Sequence, residues 1–355
     1  MNKAIVFIKY FLHKVKVYRV KRHCLIYIKK YRSQIEITKL TNQEIKKAKV
    51  FFQSSGIQIN TIWHEFYKSV NGVFQEDYMP EDFYLSEVEP YLNRQDFLPS
   101  LTDKNLLEVL LPEANVPESI VMNINGIFYN NQRQIITESQ AIILCLAVPS
   151  FIAKPSLDSG GGRGIEFINY PTKINVKSLF DAYKKDFTIQ QIIIQHNELK
   201  KLNPTSINTI RLITYLDFDG DVDILPSMLR FGGKGSLLDN ATTGGWFCGI
   251  NSDGLLKDKA YNRKYEYIKE INNIDLSKFK IPFYADLIEH VKCLHKCIPY
   301  FKIVSWDFAL DVNNQYICIE MNVKDQGTKE VQIVNRAPLF GSHTSSIISK
   351  IKSKT

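Results

Sequence analysis

Lys302-Ile303-Val304-Ser305-Trp306-Asp307-Phe308-Ala309-Leu310 and Gln315-Tyr316-Ile317-Cys318-Ile319-Glu320-Met321-Asn322 read as two β-strands, with Asn313-Asn314 between them as the turn. Both runs are rich in β-branched and aromatic residues, and paired asparagines suit a tight connection. Glu320 and Asn322 stand two apart, so they share one face of their strand. A neighbouring strand carrying Asp307 would bring a third oxygen-bearing side chain beside them. Hard oxygen donors of this kind suit Mg²⁺, which keeps several waters and shares its shell with phosphate oxygens. The same three residues also fit a polar hairpin end facing water.

Upstream, the runs Leu212–Leu216 and Val222–Arg230 read as strands around an Asp217–Asp221 hairpin turn. Arg211 and Arg230 are thereby expected on adjacent strands, where guanidinium forks suit phosphate or carboxylate oxygens. Asp217, Asp219, Asp221 and Asp223 do not make a calcium loop, because the twelfth position is Met228 and not an acid. The glycine-rich stretch from Arg230 to Gly249, with Lys234, Asp239 and Asn240, reads as a loop lying close to a ligand.

Lys154 ends an apolar strand-like run, Phe151–Lys154, and precedes Pro155-Ser156-Leu157-Asp158-Ser159-Gly160-Gly161-Gly162-Arg163-Gly164. Glycines between two strands let backbone N–H groups approach phosphates without Cβ clashes. The pattern is neither a Walker loop nor a dinucleotide fingerprint, and a plain flexible hairpin fits it too. Thr188–His196 reads as a buried strand whose backbone could read adenine. Ile142–Val148 also reads as strand-like, residues 41–70 as helical with a break at Gly56, and residues 80–99 as loop-rich around Pro80, Pro90 and Pro99. Thr102-Asp103 caps a short helix ending before Pro112.

The chain has 355 residues, 45% hydrophobic, enough for two or three packed lobes. Its net charge of +8 is local: residues 1–40 hold eleven Lys and Arg against Glu36 alone, leaving 34 basic and 36 acidic residues elsewhere. That arm reads as a basic amphipathic helix on an anionic membrane surface, or as a packing extension. No apolar run is long enough to span a membrane, no signal-peptide pattern is present, and the near-neutral body lacks a nucleic-acid module. The six cysteines are scattered as reduced thiols would be in the cytoplasm. His290, Cys293, His295 and Cys297 crowd one expected helix but lack the separate ligand pair of a structural zinc site.

In order along the chain, these pieces resemble the ATP-grasp superfamily, and most closely the sugar-transfer-associated ATP-grasp family of bacterial capsule and surface-polysaccharide proteins. The resemblance rests on Thr102-Asp103-Lys104-Asn105, Ala153-Lys154-Pro155 with Gly160–Gly164, and Leu202-Asn203-Pro204-Thr205-Ser206-Ile207-Asn208-Thr209-Ile210-Arg211. It continues through Leu229-Arg230-Phe231-Gly232, Leu238-Asp239-Asn240 with Gly244-Gly245, Ser305-Trp306-Asp307 and Glu320-Met321-Asn322, covering about residues 60–335. It implies an α+β fold, two lobes clamping ATP, and leaves the N-terminal helical basic extension outside it. The implied boundaries are 1–40 for the extension, 41–110 for a helical and loop region, 111–198 for the small lobe with its glycine-rich lid, and 199–355 for the C-terminal lobe.

The resemblance assigns Lys104 and Lys154 to the nucleotide phosphates, and Gly160, Gly161, Gly162, Arg163 and Gly164 to a cover over them. Gln190, Gln191 and Ile193 fall in the adenine hinge. Asp307, Glu320 and Asn322 would hold Mg²⁺, while Arg211, Arg230 and Asn208 would serve the transferring phosphoryl group and the acceptor, with Lys234, Asp239 and Asn240 near the substrate. Two departures stand out: Gln190-Gln191 where many members have an acidic hinge residue, and Arg163 where the loop often has Lys. The implied activity is an ATP- and Mg²⁺-dependent carboxylate–amine ligation through an acylphosphate, on a sugar acid or sugar-nucleotide-linked precursor in capsule biosynthesis. The expected place is the cytoplasm, from the scattered cysteines, with residues 1–40 as the part that would meet the inner face of the membrane. The rivals are a kinase-like phosphotransferase on a sugar hydroxyl and a non-catalytic nucleotide-binding scaffold.

Overall fold

The computed structural model describes residues 3–157, 162–233 and 244–352. Helix α1 (Lys3–Arg32) leads into a helix at Asn42–Gln53, which begins at a capping box. Thr41 accepts from the Glu44 backbone while the Glu44 carboxylate accepts from the Thr41 N–H, satisfying two end donors at once. The expected break at Gly56 is present, with φ at +72°, before the helix Ile62–Asn71.

Two antiparallel sheets follow. The smaller contains β1 (Ser119–Ile124), β2 (Ile127–Asn130), β3 (Ile135–Ile136), β4 (Ser150–Pro155), β5 (Glu166–Asn169) and β6 (Phe187–Gln190), ordered β3-β2-β1-β6-β4-β5. The larger is drawn from β7 (Thr209–Leu216), β8 (Val222–Phe231), β9 (Trp246–Ile250), β10 (Leu256–Tyr261) and β11 (Tyr267–Ile268). Beyond a small hairpin, β12 (Glu270–Ile271) with β13 (Ile274–Asp275), come its last strands, β14 (Ile303–Leu310) and β15 (Tyr316–Asn322). Its order is β11-β10-β9-β8-β7-β14-β15.

Strand alternation divides the large sheet between two cores. Leu212, Trp306 and Phe308 pack with Leu287, Val291 and Leu294 of the helix Tyr284–Lys296 on one side. Ile213, Tyr215 and Ile303 pack on the other with Phe66, Tyr84, Val88 and Ile28 of α1. Every residue of β14 is buried, so the strand carrying Asp307 runs between the two cores. The small sheet has its own core around Phe151, Phe180 and Phe187.

Three expectations change. Ile142–Val148 is not a strand: Glu138–Leu146 is helical, because Thr137 and Gln140 form a capping box that starts a helix through the apolar run. Thr188–His196 is not one continuous strand; pairing ends at Gln190, and only Gln195 returns to the ladder, in a bridge with Asp311. Residues 80–99 are mostly helical turns, including Glu81–Phe83, a π-turn at Tyr84–Val88 and Glu89–Leu92. Pro90 sits at a helix start, where its missing N–H removes no helical bond.

Candidate active site

The three oxygen-bearing residues come together as the hairpin reading requires. In the ladder Asp307 faces Glu320 and Ser305 faces Asn322 on β15, while Asp307 faces Arg211 on β7. Residues directly opposite across antiparallel strands share a face, so Arg211, Asp307 and Glu320 form one lateral row. The Asn322 Nδ2 donates to Asp307 Oδ2 at 3.3 Å and to Glu320 Oε1 at 3.4 Å. One carboxamide thus joins both carboxylates.

Cations surround the row. Arg211 grips Asp307 with two bonds, Nε to Oδ1 at 2.8 Å and Nη2 to Oδ2 at 2.7 Å. Arg230, whose strand neighbour is Thr209, reaches the same Oδ2 at 3.0 Å and is steadied by the Thr209 hydroxyl. Burial pushes the Asp307 pKa upward, but Arg211 and then Arg230 outweigh it and hold the carboxyl well below the usual range. Lys104 lies 3.3 Å from Glu320 Oε2. Its position is set by the turn it occupies: Asp103 caps that turn through the Asn105 N–H, and the Lys104 N–H donates to the Ser156 carbonyl just beyond β4.

Lys154 differs from the other cations. It stands next to last in β4, opposite Thr188, is buried, and its side chain makes no hydrogen bond or ion pair among the described residues. Burial, reinforced by the Lys104 charge, brings its pKa down to about 8 from an ordinary 10.5, against a weaker pull from Glu320. A buried ammonium without a balancing partner is costly, and an anion at this point would supply the balance. A narrow cleft lined by Thr102, Lys104, Glu320 and Met321 opens at the same junction.

The family model for sugar-transfer associated ATP-grasp proteins matches residues 85–347. The chain belongs to this family. No curated protein matches it significantly. Among solved structures it is similar to the biotin carboxylase domain of Hydrogenobacter thermophilus 2-oxoglutarate carboxylase with MgADP, ADP and bicarbonate: 16% identity over 69% of this chain and 47% of that one, TM-score 0.40. It is similar to the ATP-grasp ligase PsnB with minimal precursor, Mg and ADP, at 11% identity over 74% and 62%, TM-score 0.42. It is also similar to the L-amino acid ligase of Bacillus licheniformis, at 10% identity over 67% and 43%, TM-score 0.38. The chain spans roughly half the length of these structures. Its fold is the α+β ATP-grasp fold.

Within this sugar-transfer associated ATP-grasp protein, the remaining expected residues fall as follows. Gln190 is buried, its Nε2 donating to the Pro117 carbonyl at 3.3 Å, while Gln191 is exposed past the strand end. Among the described residues, Ile192 and Ile193 make no backbone hydrogen bond, which leaves that short segment's N–H and C=O groups available. Gly162 and Gly164 take φ of +74° and +68°, a conformation suited to glycine, and the Tyr183 hydroxyl donates to the Gly164 carbonyl at 2.6 Å. Arg163 is exposed between them. Asn208 stands apart from the carboxylate row: its Nδ2 donates to the carbonyls of Leu199 and Asn203, closing the loop before β7. Gly160, Gly161, Lys234, Asp239 and Asn240 lie outside the described residues.

Sequence reading missed the residues that hold the segment after Asn322. Glu89 accepts from the Asp325 and Gln326 N–H groups, both at 2.9 Å; Glu81 accepts from the Thr328 N–H at 2.9 Å. Asn93 donates to the Val323 carbonyl at 2.7 Å, and Ser305 to Gln326 Oε1 at 2.6 Å. Burial pushes the Glu89 pKa up to about 8, although the two backbone donors pull it down. The signal was the apolar spacing Tyr84, Val88, Leu92, which places Glu81 and Glu89 in a helical, inward-facing stretch. In Glu89→Gln, one of the two backbone donors meets an amide NH₂ and goes unsatisfied. Urea denaturation should register a loss of about 1–3 kcal/mol, and an unchanged midpoint would remove Glu89 from the clamp.

Proposed function

We propose that this chain is an ATP- and Mg²⁺-dependent carboxylate–amine ligase, with the nucleotide clamped between lobes 111–198 and 199–355. The observation that supports this most is the row Asp307, Glu320, Asn322 set among Lys104, Lys154, Arg211 and Arg230. The donor set fits Mg²⁺: two carboxylates and a carboxamide that carries an oxygen as well as its nitrogen, all hard oxygen ligands for an ion that shares phosphate oxygens. When bound, Mg²⁺ supplies charge neutralisation to the phosphates.

In the proposed reaction a substrate carboxylate oxygen attacks the γ-phosphorus, the bond to ADP breaks, and an acylphosphate results. An amine then attacks the acyl carbon, inorganic phosphate leaves, and the amine proton passes to solvent or base. Bringing one anion onto another is the obstacle in the first step. Lys104 and Lys154 would hold the phosphates, and Arg211 and Arg230 would stabilise charge as it develops. Ile192 and Ile193 would offer backbone groups to adenine, beside Gln190, Gln191 and the turns at Gly162, Arg163 and Gly164. The substrate class, a sugar acid of capsule or surface polysaccharide, follows the family association; the cytoplasmic setting follows the scattered cysteines, and contact with the membrane's inner face follows the basic arm.

Incubation with MgATP, a uronic acid and hydroxylamine should yield ADP and a hydroxamate, detected by its ferric complex, and EDTA should abolish both. A stable phosphoester with no hydroxamate would make the protein a kinase instead.

A further inference from the structure

Helix α1 has two faces of different fate. Val20, Cys24, Leu25, Ile28 and Tyr31 pack into the core on one face of the large sheet, and the cations on that side are matched, Lys21 by Glu87 and Arg32 by Glu65. On the opposite side, Ile8, Phe11, Leu12, Tyr18 and Ile26 are each more than half exposed. Their spacing follows steps of three and four residues with Arg19, Arg22, Lys29 and Lys30, which form no ion pair among the described residues. The whole helix carries ten Lys and Arg and no Asp or Glu. No helix among the described residues is long and apolar enough to cross a membrane.

We propose that this outer face of α1 lies on an anionic lipid bilayer. The charge calls for an anionic partner, and the aliphatic and aromatic side chains interleaved with the cations choose its class. Ile8, Phe11, Leu12 and Ile26 gain nothing from a phosphodiester backbone, whereas they enter the boundary between headgroups and acyl chains while the cations meet lipid phosphates. Packing through Val20, Cys24 and Ile28 fixes which side of the helix faces away from the body, and that side meets the bilayer. Nothing in this assignment depends on ligase chemistry, and vesicle binding needs no ATP.

The test is co-sedimentation of the full chain with phosphatidylglycerol-containing vesicles and with pure phosphatidylcholine vesicles. Binding about tenfold or more tighter to the anionic vesicles, weakening with salt, is expected. The variant R19Q/R22Q/K29Q/K30Q should lose at least about tenfold in affinity, and F11S/L12S should weaken binding with every cation retained. Both sets of side chains face outward, so melting temperatures should match the parent. Equal binding to the two vesicle types, which needs no variant to read, would overturn the assignment. So would unchanged binding by either variant, or single-stranded RNA displacing the protein from vesicles.

Discussion

Asp307→Asn should abolish Mg²⁺-dependent nucleotide handling and also destabilise the fold. Asp307 is the point on which Arg211, Arg230 and Asn322 converge. The asparagine keeps the shape but removes the charge, leaving two guanidiniums facing one another across a neutral amide. Removing one partner of a buried ion pair costs about 3–5 kcal/mol, so chemical denaturation should show a loss of that order at neutral pH. The pH dependence has a definite sign. The folded pKa of Asp307 is depressed below its ordinary 3.8, so its stabilisation is fully present above 3.8 and is lost as pH falls from there through the lower folded value. The gap between parent and variant should therefore close in acid. In the folded variant at neutral pH, ADP release from MgATP should fall by about two to three orders of magnitude. Unaltered ADP release would remove Asp307 from the catalytic site.

Lys154→Met should do the reverse to stability while still disabling the site. The ammonium is buried beside the Lys104 charge, with its pKa down to about 8 from 10.5. At neutral pH the charged form is held in both folded and unfolded chains, so the folded state bears the full cost, about 3 kcal/mol by the relation of pKa shift to free energy. A methionine of similar length removes that cost. Because the unfolded chain binds the proton more tightly, the parent gains stability as pH rises from about 8 to 10.5, and the two proteins should converge there. Added MgATP should raise the melting temperature of the parent and leave that of Lys154→Met nearly unmoved. A variant that is less stable than the parent at neutral pH, or is stabilised equally by nucleotide, would contradict this account.

The strand pattern around Asp307 was legible because β-branched and aromatic residues, a two-residue spacing and an asparagine turn all agree locally. Arg211 and Arg230 were placed on neighbouring strands for the same reason: the Asp217–Asp221 turn joins those strands, with Asp217 accepting from the Asp219, Gly220 and Asp221 N–H groups, whereas the register shift between Ile213 and Arg211 that sets Arg230 opposite Thr209 had no local signal. What escaped was set by distant partners. Ile142–Val148 has strand-like composition, and only the cap at Thr137 decides for helix. Glu81 and Glu89 look like solvated acids in a proline-rich stretch; they are buried because backbone donors more than 230 residues away need them. The unpaired segment Ile192–Ile193 was read as continuous strand because nothing in its own residues signals where pairing stops.

The register of β14 and β15 shifts between the pairs Asp307/Glu320 and Phe308/Cys318, so Ile319 is the unmatched residue of a bulge. On the turn side of it, Phe308 and Cys318 are fixed by the core; on the other side, Asp307 and Glu320 are fixed by the cation row. Ile319 therefore works as a spacer between two independent phasings of a single strand. Drawn into the ladder, that one residue would face Asp307 in place of Glu320 and leave each half's chemistry intact in composition while turning Glu320 and Asn322 to the opposite face of the sheet from Asp307, so the hairpin could persist as a fold after it had ceased to be a site.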